Sequence, residues 1–235
     1  MTFAQDGFAI APLFGPDEVA ELRGAVSEHM DRTARALLKP YGETEFDAPF
    51  DQRLEKIAAE DQSFAGLLGT AVATDAHRSS AITRLAEDPR LEALASGFCG
   101  LPISQKIFRM RLNCSALTGK RQGWHSDVAR VDDTACSQLV ITAWIPLSDA
   151  GPDSGGLEFV RGRRDAPVSH DETGGKFLID QQELDKAEKA TPLVLAGQCL
   201  FMDRFTPHRA VENHSGRTRW SLVVWMKADR LPTYV

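Results

Sequence analysis

No stretch of this sequence approaches the roughly 20 apolar residues that a membrane-spanning helix needs, so no span is expected. A cationic surplus is lacking too: 27 Lys and Arg stand against 33 Asp and Glu, a formal charge of −6. Nucleic-acid binders carry a basic footprint, and this balance argues against that class. Cysteine is sparse. The four residues, Cys99, Cys114, Cys136 and Cys199, form no Cys-x-x-Cys pair. Their spacing suits neither a disulfide framework nor a zinc ribbon, and buried free thiols in a reducing cytoplasm are expected. The opening MTFAQDGFAIAPLF has no basic stretch followed by an apolar run, so no signal peptide is expected. Internal repeats and low-complexity tracts are missing as well.

What is present describes a folded domain. Of the 235 residues, 43% are hydrophobic and 26% charged, which excludes a disordered chain. The length suits one domain over 1–235, able to bury on the order of 70% of its unfolded surface. The first hundred residues read as helical. Gly15-Pro16-Asp17-Glu18 is a helix start, followed by Val19, Leu22, Val26 and Met30 at helical spacing to about Leu38. Asp51–Leu68 and Ser79–Phe98 predict further helices, with a Pro- and Gly-bearing loop at 39–50.

After Leu101 the pattern turns to strands: Ile107–Cys114, Ser137–Leu147, Leu157–Val160, Pro192–Met202 and Thr218–Met226, with one helix at Gln181–Ala190. Helices first and strands later give an α+β order with a mainly β core. Many strands without βαβ alternation favour an antiparallel sandwich or barrel. Side chains alternate along a strand. One face of Thr218–Ala228 carries Trp220, Leu222, Val224 and Met226; the other carries Arg219, Ser221, Val223 and Trp225. Likewise Leu139, Ile141, Ala143 and Ile145 oppose Gln138, Val140, Thr142 and Trp144. The two mixed faces read as walls of a ligand cavity.

Six histidines are available. His29 and His77 lie among helical charges and His170 in the polar loop SHDETGG, so surface positions are expected for all three. His125 stands in Gly-Trp-His-Ser-Asp. On an extended segment His125 and Asp127 project to one side and can grip one ion together. A third ligand would complete the two-histidine, one-carboxylate triad of non-haem Fe(II) oxygenases. His208, just after a strand, and His214, in a polar turn, are the candidates. Arg219, on a mixed face beside Ser221, can hold a carboxylate bidentately. An iron triad with a carboxylate anchor nearby matches the needs of 2-oxoglutarate.

The order of motifs along the chain carries a resemblance. FAQDGFAIAPLFGPDEVAELR, GWHSD, VITAWIPLSDAGPDSGGLEFVRG, LAGQCLFMDRFTPH and HRAVENHSGRTRWSL follow one another over some two hundred residues. Together they resemble the phytanoyl-CoA dioxygenase-like family of Fe(II)/2-oxoglutarate-dependent oxygenases. The resemblance implies a double-stranded β-helix, or cupin-like jelly roll, from about residue 101, with N-terminal helices packed on one face. It implies iron at His125, Asp127 and His208, favouring His208 because Asn213 and Ser215 occupy the motif's turn positions. It also implies that Arg219 clamps the distal carboxylate of 2-oxoglutarate, helped by Ser221, with Trp144 nearby and Gln138 and Thr142 as further candidates.

The reaction so implied couples decarboxylation of 2-oxoglutarate by dioxygen, giving succinate and CO2, to hydroxylation of a small-molecule C–H bond. Asp127 disfavours the halogenating relatives, which replace that carboxylate. Val160-Arg161-Gly162-Arg163-Arg164 departs from the family's Pro-Gly-Ser-His, so the substrate does not carry over. Lys120, Arg121, Arg130, Arg161, Arg163 and Arg164 suggest a basic entrance and an anionic substrate. The rival readings are a non-catalytic jelly-roll protein binding a metal or small acid, and a zinc hydrolase using the same three ligands. The oligomeric state is not legible.

Overall fold

Capping residues cut the N-terminal segments into shorter helices than their periodicity suggests. In the computed structural model, which describes residues 2–40, 48–117, 122–129, 138–173 and 176–230, one turn of helix α1 (Phe3–Asp6) leads through Gly7 into strand β1 (Phe8–Pro12). Helix α2 (Pro16–Ala36) follows, with Pro16 in its first turn and the Glu18 carboxylate accepting the Gly15 N–H at 2.9 Å. The helix expected over Asp51–Leu68 is two, α3 (Phe50–Glu60) and α4 (Gln62–Asp75). Asp61 between them is extended and accepts the Phe64 N–H at 2.9 Å, so it starts a new helix. Ser79–Phe98 splits likewise into α5 (Ser80–Ala86) and α6 (Pro89–Cys99). A residue before proline avoids helical geometry, and Asp88 uses that break to cap α6 through the Arg90 N–H at 2.8 Å.

The strands are β2 (Gln105–Asn113), β3 (Leu139–Pro146), β4 (Leu157–Val160), β5 (Asp171–Thr173), β6 (Lys176–Leu178), β7 (Lys189–Ala190), β8 (Gln198–Asp203), β9 (His208–Ala210) and β10 (Arg219–Lys227). The helix expected at Gln181–Ala190 shrinks to one turn, α7 (Gln181–Leu184), because Lys189 and Ala190 pair with β4 instead. The strand expected from Pro192 begins only at Gln198, since Gly197, at φ 90°, turns its carbonyl onto the Leu13 and Phe14 N–H groups. The expected start at Ser137 lies outside the described residues.

Five strands form an antiparallel sheet in the order β1-β8-β3-β10-β2, and three form a smaller one, β7-β4-β9. Their inner faces meet in an apolar layer of Phe8, Trp144, Leu157, Phe159, Leu200, Met202 and Val223, with the Phe8 and Phe159 rings stacked 4.6 Å apart. The outer face of the larger sheet carries Ile141, Ala143, Ile145, Phe201, Trp220, Leu222, Val224 and Met226, packed against Leu22, Val26, Leu54, Leu68 and Leu91 of the helices. The antiparallel jelly roll backed by N-terminal helices is therefore as expected, and the apolar face of each split strand is the one the helices cover. His29 is a correction: it is buried under α2, not a surface group, and accepts a hydrogen bond from Arg32 on its Nδ1 at 3.1 Å. Cys114 and Cys199 are buried free thiols and Cys99 is half-buried, while Cys136 lies outside the described residues.

Candidate metal centre

His125 and His208 lie 83 positions apart in sequence but exchange backbone hydrogen bonds, His125 N–H to the His208 carbonyl at 3.0 Å and the reverse at 2.8 Å. This isolated antiparallel bridge sets their rings 4.3 Å apart, centroid to centroid. Each ring spends its Nδ1 on a carbonyl two residues back, Gly123 at 2.9 Å and Thr206 at 3.0 Å. A donated Nδ1–H fixes the tautomer and leaves Nε2 as a free lone pair. Asp127 completes the cluster, and one ligand atom from each of the three residues lies within 4.8 Å of the others. Burial, and then His208, hold the His125 imidazole well below its ordinary pKa, so it stays neutral and able to ligate. His214 is exposed and stands beside Glu212, leaving His208 as the histidine in the cluster.

Neighbours fix the HxD segment. The hydroxyl of Thr142, a candidate cosubstrate contact, donates to Asp127 Oδ2 at 2.5 Å and so orients that carboxylate. His170, expected at the surface, is half-buried and accepts the Ser126 N–H on its Nε2 at 3.0 Å. Its Nδ1 donates to the Val168 carbonyl at 2.6 Å. His170 thus pins the residue between two candidate ligands, a role its polar loop gave no sign of.

Arg219 lies on the inner face of β10, 5% exposed. Its Nε donates to the Gly155 carbonyl at 2.9 Å and its Nη1 to Ser221 Oγ at 2.9 Å, while its guanidinium sits 5.3 Å over the Trp144 ring. Gly155 can do this because it adopts φ +70°, and a Cβ there would meet Asn113 Nδ2 at 2.6 Å. Among the described residues no carboxylate lies within ion-pair distance of Arg219. Burial alone pushes its pKa down to about 10. A buried cation with unused donors is set to receive an anion.

Gln138 is not brought to this wall. Between Met226 and Lys227 the β3–β10 register slips, pairing Met226 with Ile141 and Lys227 with Leu139. The bulge puts Val140 and Ile141 together on the helix side and returns Leu139 to the inner side with Val128 and Phe205. Gln138 then falls in an exposed turn. Arg161 and Arg163, expected at a basic entrance, have acid partners: Arg161 pairs with Asp6 and Glu188, and Arg163 with Asp203. Arg164 donates to the Gly162 carbonyl. Lys120, Arg121 and Arg130 lie outside the described residues.

The phytanoyl-CoA dioxygenase family model matches residues 3–221. No curated protein sequence matches significantly. Among solved structures, AviO1 from Streptomyces viridochromogenes Tue57 is similar, with TM-score 0.64 and 21% identity over 99% of this chain and 95% of that one. The non-haem alpha-ketoglutarate-dependent epimerase SnoN from nogalamycin biosynthesis gives TM-score 0.64 and 22% identity over 96% and 80%. EvdO2 from Micromonospora carbonacea var. aurantiaca, complexed with 2-oxoglutarate, gives TM-score 0.57 and 21% identity over 99% and 90%. The identities carry the fold, while the family match spans both ends of the candidate site from His125 to Ser221. The chain belongs to the phytanoyl-CoA dioxygenase family, whose cofactors are non-haem iron and 2-oxoglutarate.

Proposed function

We propose that His125, Asp127 and His208 bind Fe(II), that Arg219 and Ser221 bind 2-oxoglutarate, and that the protein hydroxylates an unactivated C–H bond of a small molecule. Arg219 carries the reading: a buried guanidinium with no carboxylate in ion-pair distance among the described residues, over Trp144 on the strand whose Thr142 holds Asp127 of the His–Asp–His cluster, calls for an acid ligand beside the metal. A zinc hydrolase would leave that arginine without a role. When bound, iron and 2-oxoglutarate supply the activation of dioxygen, coupled to loss of CO2 from the keto acid.

The chain's own residues do the rest. Gly123 and Thr206 aim the two Nε2 atoms, and Thr142 orients the Asp127 carboxylate. Arg219 and Ser221 hold the distal carboxylate of the cosubstrate against the Trp144 face. Leu200, Met202 and Val223 pack with Trp144 in an apolar layer that excludes water there. The whole of 1–235 acts as one domain in this reading, in a reducing cytoplasm that keeps iron ferrous. No helix among the described residues is long and apolar enough to cross a membrane.

Anaerobic addition of Fe(II) and 2-oxoglutarate tests the site. A visible charge-transfer band is expected in the native protein and lost in His208→Ala; no band in folded native protein overturns the reading. Product mass then decides the outcome, since the similar SnoN is an epimerase. Gain of one oxygen atom supports hydroxylation, and an unchanged mass replaces it with an isomerisation such as epimerisation.

A further inference from the structure

Strand β2 forms one edge of the larger sheet and carries charge that the proposed iron and cosubstrate binding leaves unused. Pairing with β10 sets Arg111 opposite Ser221, Arg109 opposite Val223 and Ile107 opposite Trp225. Alternate residues share a face, so Arg109 and Arg111 stand on the inner side with Arg219, Ser221 and Trp225. Met110 between them is fully buried in the helix-side core. The Arg111 guanidinium lies over the Trp225 ring, 5.7 Å from its centroid. The side chain therefore leans along the strand face toward Trp225. Thr142, the cross-strand partner of Trp225, holds Asp127. Burial lowers the Arg111 pKa and Arg109 lowers it further, while Asp127 acts the other way, so the three charges feel one another.

Several other described arginines have acid partners. Arg84 pairs with Glu21, Arg90 with Glu18 and Asp88, Arg209 with Glu158, and Arg217 with Asp51. Among the described residues no carboxylate lies within ion-pair distance of Arg109 or Arg111, and both reach solvent. Two like charges on neighbouring positions of one strand face repel until an anion sits between them. Edge strands do carry charge to block pairing with other chains. That role would point both side chains outward and does not account for Arg111 turning in over Trp225.

Resting on the oxygenase reading, we propose that Arg109 and Arg111 clamp the oxyanion of an anionic substrate, a carboxylate or phosphate, and hold its oxidisable carbon beside the iron. The planar fork of each guanidinium suits either group. The pair on edge strand β2 thereby takes the role expected of Arg161 and Arg163, which have acid partners.

Matched probes test the clamp: benzoate against benzamide, and phenyl phosphate against phenol. Each is titrated anaerobically into the Fe(II)- and 2-oxoglutarate-loaded protein, followed by the charge-transfer band, and into metal-free protein, followed by calorimetry. The anions are expected to bind and shift the band, and their neutral partners to do neither. The double variant Arg109→Gln, Arg111→Gln weakens anion binding by about tenfold or more, with 2-oxoglutarate affinity held to within about twofold, inside the scatter of a surface change. Anion and neutral probes behaving alike, no anion binding to native protein, or an unchanged double variant would each overturn the clamp. Equal loss of 2-oxoglutarate affinity would too, since it places the pair at the cosubstrate. Absence of the band in native protein overturns the oxygenase reading instead, and calorimetry then decides the clamp alone.

Discussion

A histidine becomes a metal ligand through what its second nitrogen does. His125 and His208 each give Nδ1 to a nearby carbonyl, and so does His170, to Val168. The difference is where Nε2 points: into the cluster for the first two, at the Ser126 N–H for His170. His170→Phe removes that acceptor and frees the loop between two candidate ligands. Fe(II) affinity is expected to fall by about 10-fold or more, in the range of supporting-residue losses, with far-ultraviolet circular dichroism unchanged. An unaltered iron affinity would remove His170 from the site. Sequence showed His125 and Asp127 as a pair because they are two residues apart. It could not show His170, whose 44-residue separation from Ser126 is closed only by the fold.

Elements decide which side chains a strand presents. In β10 the alternation read from sequence holds along its length, with Arg219, Ser221 and Trp225 inward and Trp220, Leu222 and Val224 against the helices. In β3 it holds for Thr142 and Trp144 and fails at Gln138, because one bulge moves the phase by a residue. Bulges depend on what the neighbouring strand does, and β10 lies far downstream, so no local pattern announces one. Turns matter in the same way. Gly155 offers its carbonyl to Arg219 only in the left-handed region. Gly155→Ala sets a Cβ against Asn113 and strains a φ of +70°, at about 1–3 kcal/mol. Weaker 2-oxoglutarate binding is expected in calorimetry, although the added methyl group would itself touch no ligand. Unchanged affinity would show that Arg219 keeps its place without the Gly155 carbonyl.

At the scale of the whole molecule, stability links to pH through buried imidazole. Burial, and then Arg32, lower the His29 pKa. As pH falls through the ordinary histidine value near 6.5, the unfolded chain takes up the proton first. The unfolded state therefore gains, and stability present above that pH is lost below it. Denaturant midpoints should fall between pH 7 and pH 5, and by less in His29→Gln, which keeps an acceptor for Arg32 and cannot charge. Equal slopes in both proteins would show that His29 is protonated without penalty in the fold. The sequence did not reveal this residue either: Glu28 and Asp31 beside it read as a wet face, whereas α2 turns His29 inward beside Met30.

The order of helices before strands, the two-faced strands, the His-x-Asp pair and Arg219 are all legible in the chain, because each is written in local periodicity or short spacing. The fold supplied what holds Asp127, where Gln138 falls and which arginines stay uncompensated, and it set His208, already favoured by the motif, beside that pair. Those depend on backbone bridges, a strand bulge and ion pairs between residues far apart in the chain. Nothing in a single segment encodes its partner until the two sheets close on one another.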